Sequence, residues 1–413
     1  MSNLIDICKS DSIYLEDIRK NISDIGKRDE KGKTALMYLC EYEYTSPEMI
    51  QELKDEIGMK DKMGNTALMY LCKNGRINKN NLSELKSEIC LQSIFGETAL
   101  MMYCKNRAPY VNLEILDLLS PEIGMSDDNG CTALMYFVDS DKNTNLLSKE
   151  NEIKKLSKEI CMRDKQFKRT ALMKMCMKHV DHCCANIEVL KDEIGMKDIF
   201  GRTALMYLVE NEYVNENIIS ILDDEIGMKD KMGKTALMYL ANNENINVKL
   251  INSLKREIKM QDKNGKTALI NYCLKLKNIT PEIIRSLKDE IGMTDNHGNT
   301  ALISLSYGYN KNINPELMDE LESEIGMKNN LGETSLMSAV NKLFNYGIIP
   351  ELKKEIGIQN EAGNTALINY LNSSKNPDPK IVTELKDEIK IENKYGESPF
   401  TLHYEILKLF GLI

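Results

Sequence analysis

The chain has 413 residues, of which 28% are charged and 42% hydrophobic, with a formal net charge of -9. Its length exceeds the size at which a single globular core normally stops growing. No basic tract offers counter-charge to a nucleic acid, no run of about eighteen apolar residues could span a bilayer, and the opening Met-Ser-Asn-Leu-Ile-Asp lacks a secretory pattern, so membrane and nucleic-acid partners are not expected.

In chain order, residues 1–26 read as a shortened pair of capping helices. From residue 27 onward the phrase Gly-x-Thr-Ala-Leu-Met, with small variations, keeps returning. Its threonine falls at Thr34, Thr66, Thr98, Thr132, Thr170, Thr203, Thr235, Thr267, Thr300, Thr334 and Thr365, with Ser398 in the twelfth place and steps of 31 to 38 residues. A period of this size marks a stack of units, each too small to bury its own apolar face. About eleven such repeats fill residues 27–390, and the expectation is one elongated repeat domain.

Residues 59–90 illustrate one repeat. Asp61 to Gly64 reads as a turn, because Asp can bond its own backbone and Gly accepts positive φ. Thr66 is then the N-cap of a first helix, its hydroxyl taking a first-turn amide, and Leu68, Met69, Leu71 and Cys72 form the apolar face until Asn74-Gly75 breaks it. Ser46-Pro47-Glu48, Thr280-Pro281-Glu282 and Asn314-Pro315-Glu316 show how the second helix starts, with a cap, a proline and an early acid. Leucines at 53, 85, 119, 156, 190, 222, 254, 287, 321, 352 and 385 lie four residues before an isoleucine, which predicts one shared helical face. Glycine usually follows that isoleucine, as a left-handed C-terminal cap. Cys90, Cys161, Lys259 and Lys390 take its place in other repeats, at a cost of about 1 kcal/mol each.

Two repeats in the middle break the rhythm. Asp139 to Glu152 is an extended polar stretch, and Lys168 replaces the loop glycine. Cys176, His179, His182, Cys183 and Cys184 then cluster within nine residues. These are ligand types that zinc accepts, but Cys176 occupies a position shared across repeats, and one loop rarely supplies four convergent ligands. No metal site and no cofactor are expected. At the far end, residues 391–413 supply one loop and a last helix from Ser398-Pro399 with no second helix, closing in Leu409-Phe410-Gly411-Leu412-Ile413, which is expected to cover the end of the core, the alternative being a docking tail for a partner.

The shared position, six residues after the threonine, holds Cys40, Cys72, Cys104, Cys176 and Cys273, and elsewhere Ala241, Val138, Val209, Val340, Ser306 or Leu371. Cysteine is here a small buried hydrophobe rather than half of a disulfide, which predicts a reducing, cytoplasmic location. Sixteen of the 24 methionines keep the repeat register, so they read as packing residues. Gly32-Lys33-Thr34, Gly233-Lys234-Thr235 and Gly265-Lys266-Thr267 imitate the end of a phosphate-binding loop. The upstream glycine that loop requires is out of register at Gly26 and Gly227 and replaced by Met260. No Ser/His/Asp arrangement or carboxylate pair stands out, so neither an enzyme nor a small-molecule substrate is expected.

A loop, a helix, a tight turn and an antiparallel helix in about thirty-three residues resemble the ankyrin repeat. The resemblance rests on Asp61, Gly64, Thr66 and Leu68, and on Asp230, Gly233, Thr235 and Leu237. It implies an all-α repeat solenoid, a stack of helix-turn-helix units joined by hairpin-like loops. Tetratricopeptide arrays share the period, but their Trp signature is missing, since the chain has no Trp. The Met-rich style is similar to ankyrin arrays of diplomonad protists. The family's usual Thr-Pro-Leu-His appears here as Thr-Ala-Leu-Met or Thr-Ala-Leu-Ile. Without the histidine, thioether packing is expected to replace the family's polar tie between neighbours.

The informative positions are those where the repeats disagree. The residue before the loop glycine is implied to be a loop tip, and it is Met63, Phe95, Phe167, Phe200, Met232, Leu331 or Tyr395 in seven repeats, with Ile94 and Ile199 extending the patches. Large apolar side chains at such tips mark a contact surface or pack on the adjacent loop. The expectation is a non-catalytic scaffold that holds a partner protein, of unknown identity, along the loop tips and first helices. The alternative is a structural or cytoskeletal spacer attached by its ends.

Overall fold

The computed structural model describes residues 3–10, 13–42, 45–107, 111–140, 149–178, 184–212, 214–275, 279–307, 315–340 and 346–413. Among them every regular element is a helix, which makes the protein an all-α repeat solenoid. The chain divides into two compact units, Met1–Glu225 and Ile226–Ile413.

The first unit opens with helices Leu4–Cys8 and Leu15–Lys20. Five first helices then run at Ala35–Glu41, Ala67–Asn74, Ala99–Arg107, Ala133–Asp139 and Ala171–Met177, with a sixth at Ala204–Leu208. Within this unit neighbouring first helices pack on one another, and the second helices Pro47–Glu52, Lys79–Glu84, Leu113–Leu118, Glu150–Lys155, Cys184–Val189 and Glu216–Ile221 do the same in their own layer. The second unit repeats this plan from Ala236–Tyr239 to Ala366–Ser373, with one second helix replaced by a 3-10 segment, Tyr346–Glu355, that contains Pro350. It ends in two short helices, Pro399–Leu402 and Tyr404–Leu409. The expected single last helix is thus broken at His403, which leaves helical geometry with φ -132°. Leu407 is fully buried there, whereas Leu409 is 80% exposed.

The helix starts follow local chemistry. Every first-helix threonine with described cap geometry holds an extended backbone, but only some of the hydroxyls make the cap bond. Thr98, Thr132, Thr170, Thr267 and Thr300 accept the amide three residues on at 3.3–3.4 Å. Thr66 does not make the cap bond predicted for it, and its buried hydroxyl has no hydrogen-bond partner. Ser46 and Thr280 cap the second helices ahead of Pro47 and Pro281, while Asn314 lies outside the described residues. Gly75 ends Ala67–Asn74 with φ 75°.

The second helix differs from its expected course. The α-helix stops at the leucine (Leu53 has φ -103°, ψ 21°), and a 3-10 turn, Lys54–Glu56, follows. In a 3-10 turn residues i and i+3 lie on one side, so Leu53 is joined inside by Glu56, while Ile57, extended at ψ 133°, is only partly covered. A carboxylate therefore enters the core at every joint. Glu88 accepts the Gly58 amide of the preceding repeat at 2.7 Å and the Leu68 amide of its own first helix at 2.7 Å. The same pair of bonds, at 2.6–3.0 Å, recurs at Glu122, Glu159, Glu193 and Glu225 in the first unit. It recurs again at Glu257, Glu290, Glu324, Glu355 and Glu388 in the second. The absence of the family histidine thus does not leave neighbours tied by methionine packing alone: the glutamates supply a polar tie. Burial pushes the Glu88 carboxyl up from the usual range, and the two amides work against that rise.

The joint glycine is left-handed at Gly58, Gly124, Gly195, Gly227, Gly292, Gly326 and Gly357, as are Cys90, Cys161 and Lys259 in its place. A Cβ at Gly58 would meet nothing within 4 Å, so only backbone strain opposes a side chain there. Lys390 departs from expectation: it avoids the left-handed region, because Ile389 stays helical at φ -54° and its carbonyl receives the Phe400 amide.

Candidate functional site

The loop tips are built from an aspartate outward. Asp61 Oδ1 accepts the amides of Met63 and Asn65 at 2.8 and 2.7 Å, and Oδ2 accepts the Tyr70 hydroxyl at 2.7 Å, which fastens the loop to its own first helix. Tyr38 with Asp29, Tyr136 with Asp127, Tyr207 with Asp198 and Tyr239 with Asp230 repeat this bond. Asp262 shows what the tyrosine supplies. Its repeat has Asn271 there, bonded back to the Thr267 carbonyl, and the buried Asp262 Oδ2 has no hydrogen-bond partner.

Successive tips are joined through their backbones. The Met63 carbonyl accepts the Ile94 amide at 2.9 Å, and the Phe95 carbonyl accepts that of Asp128 at 2.9 Å. In the second unit the Met232 and Leu331 carbonyls take the amides of Lys263 and Glu361 at 2.9 and 3.0 Å. This approach excludes a side chain on the loop glycine: a Cβ on Gly64 would stand 2.7 Å from the Ile94 nitrogen. Lys168 escapes because its loop carries one residue more between the aspartate and the threonine (Asp164 to Thr170, against Asp61 to Thr66), and it takes φ 59°.

With the tip backbone committed, the tip side chain turns outward. Met63, Phe95, Phe200, Met232, Leu331 and Tyr395 are between 43% and 77% exposed. Phe167 is half-buried, its ring 6.2 Å from that of Phe200 and beneath the Arg169 guanidinium at 4.3 Å. Here an apolar tip does pack on the adjacent loop. Met63 and Phe95 instead share the rim of a cavity of about 200 Å³, whose walls are the first-helix residues Met69, Tyr70 and Met102 and whose charged groups are Lys73, Glu97 and Lys105. These helix residues went unnoticed as a site in the sequence, because Met69 keeps the core register and only Met102, standing where five of the eleven repeats have tyrosine, breaks it.

Among the described residues no cluster of three His, Cys, Asp or Glu could hold a metal, and His179, His182 and Cys183 lie outside them. The described cysteines are all free; Cys40, Cys72, Cys104 and Cys273 are buried, with thiols pushed well up by burial, so they act as hydrophobes. No described helix is long and apolar enough to cross a membrane.

Paired short helices, loops tied tip to tip and a joint carboxylate in each repeat define a helical repeat solenoid of the loop–helix–turn–helix class. The family model for ankyrin repeats (3 copies) matches residues 5–80, spanning the opening helix pair and the first tip of the cavity. With the same unit recurring to residue 390, the chain is an ankyrin-repeat protein. No curated protein matches it.

Proposed function

We propose that this protein is a non-catalytic scaffold that holds a partner protein on the face formed by its loop tips and first helices. Ankyrin repeats are in general protein-interaction modules, which supports the class of function. The observation that carries the face is the cavity shared by Met63 and Phe95, where exposed apolar tips stand over the buried first-helix side chains Met69, Tyr70 and Met102. The frame beneath is held by the aspartate, the loop ladder and the joint glutamate, so little ordering entropy is lost on binding.

The test is affinity capture from a reducing extract with the wild type and with Phe95→Ser/Phe200→Ser. Capture falls about ten-fold or more, as for loss of interface anchors, while far-ultraviolet circular dichroism stays the same. Unchanged capture removes these tips from the interface. The second reading, a spacer attached by its ends, draws on the exposed Phe400, Leu402, Tyr404 and Leu409. Deleting residues 405–413 separates the two, since a spacer loses its attachment and a face binder keeps its partner.

A further inference from the structure

The cavity between the tips at residues 63 and 95 carries a chemical preference as well as a shape, and the inference rests on the partner-binding reading above. We propose that it receives one large aliphatic or aromatic side chain from a partner segment whose flanking residues are acidic. At about 200 Å³ the space falls below the roughly 300–1,000 Å³ of small-molecule sites, and it suits a single side chain. Its apolar walls are Met63, Met69, Phe95 and Met102, and thioethers adjust to whichever apolar group enters. The polar groups that also line it are already bonded: the Tyr70 hydroxyl and the Asn65 amide donate to Asp61, and the Asn106 amide donates to the Met102 carbonyl.

The charges around the cavity decide what flanks that guest. Glu97 is matched by Lys105 at 3.3 Å, and Lys105 also lies 4.9 Å from the centre of the Tyr136 ring. Among the described residues Lys73, exposed and lining the same cavity, makes no ion pair, and Lys62, next to Met63 in the chain but outside the cavity lining, makes none either. Positive charge is therefore left over here on a chain whose net charge is -9. Exposed unpaired cations around an apolar slot steer and select an anionic partner, and a basic segment would leave them unanswered.

The test uses the full chain and three fluorescein-labelled synthetic peptides, read by anisotropy at low and physiological salt. One has Leu-Phe flanked on each side by two Glu, one has Leu-Phe flanked by Lys, and one has Ala-Ala flanked by Glu. The acidic Leu-Phe peptide binds about ten-fold or more tightly than either of the others, and added salt weakens it. Lys73→Glu and Phe95→Ser each lower its affinity at least several-fold, while Lys255→Glu, exposed on a 3-10 turn elsewhere, leaves it unchanged. Circular dichroism confirms that each variant is folded. Equal or tighter binding of the lysine peptide, no binding of the acidic one, or indifference to Lys73→Glu overturns the proposal. If Phe95→Ser/Phe200→Ser still abolishes cellular capture while the acidic peptide fails, the face stands and its chemistry is wrong; if both fail, the face falls too.

Discussion

Glu88 is an acid where a core would ordinarily have an aliphatic group, and its counterparts fill the same place in the following repeats. A buried carboxylate is costly unless bonded, and here two amides that would otherwise be orphaned, one at a helix start and one at a joint, point at it. Burial raises the folded pKa of this group from Glu88 to Glu388. A pKa raised on folding means the folded state binds the proton more tightly. The resulting stability is fully present below the unfolded value of about 4.3 and is lost as pH rises through the folded value. The urea midpoint is accordingly higher in mildly acidic buffer than at pH 7 in the window above that unfolded value. A midpoint that falls on acidification across this window contradicts the assignment. The residue was legible in principle: an acid identical at eleven joints does not drift like surface. It escaped because Glu-Ile-Gly reads as an ordinary exposed helix end.

At the scale of elements, the first helices, their start at the threonine and the loop turns were legible, because each depends on local chemistry within five or six residues. The second helix was not, because a leucine four residues before an isoleucine fits one α-helical face as well as it fits a break at Leu53 followed by a 3-10 turn. Only packing against the neighbouring repeat decides which of the two occurs. The two left-handed glycines Gly58 and Gly64 also look alike in sequence and differ in space. Gly58 meets open space, whereas Gly64 faces the next loop's backbone at 2.7 Å. Gly58→Ala therefore costs on the order of 1 kcal/mol for backbone strain alone. Gly64→Ala costs about 3 kcal/mol, since the Ile94–Met63 backbone bond must also give way. Urea unfolding of the two variants checks this, and equal losses would refute the steric argument.

For the molecule as a whole, the repeat makes a constant frame and confines variation to what the frame leaves free. The tips were picked out by their disagreement among repeats, and the frame does turn Met63, Phe95, Phe200, Met232, Leu331 and Tyr395 outward. Sequence could not reveal that Met63 and Phe95 close over Met69 and Met102 while Phe167 is drawn against Phe200. Those contacts depend on side-chain direction across repeats, which spacing does not encode. The central claim is that a partner meets the tip face and not the second-helix side. A photo-crosslinking amino acid placed at residue 95, and separately at exposed Asp55 on the 3-10 turn after a second helix, tests it directly. The account predicts that position 95 crosslinks a partner and position 55 does not; crosslinks from 55 alone would contradict it.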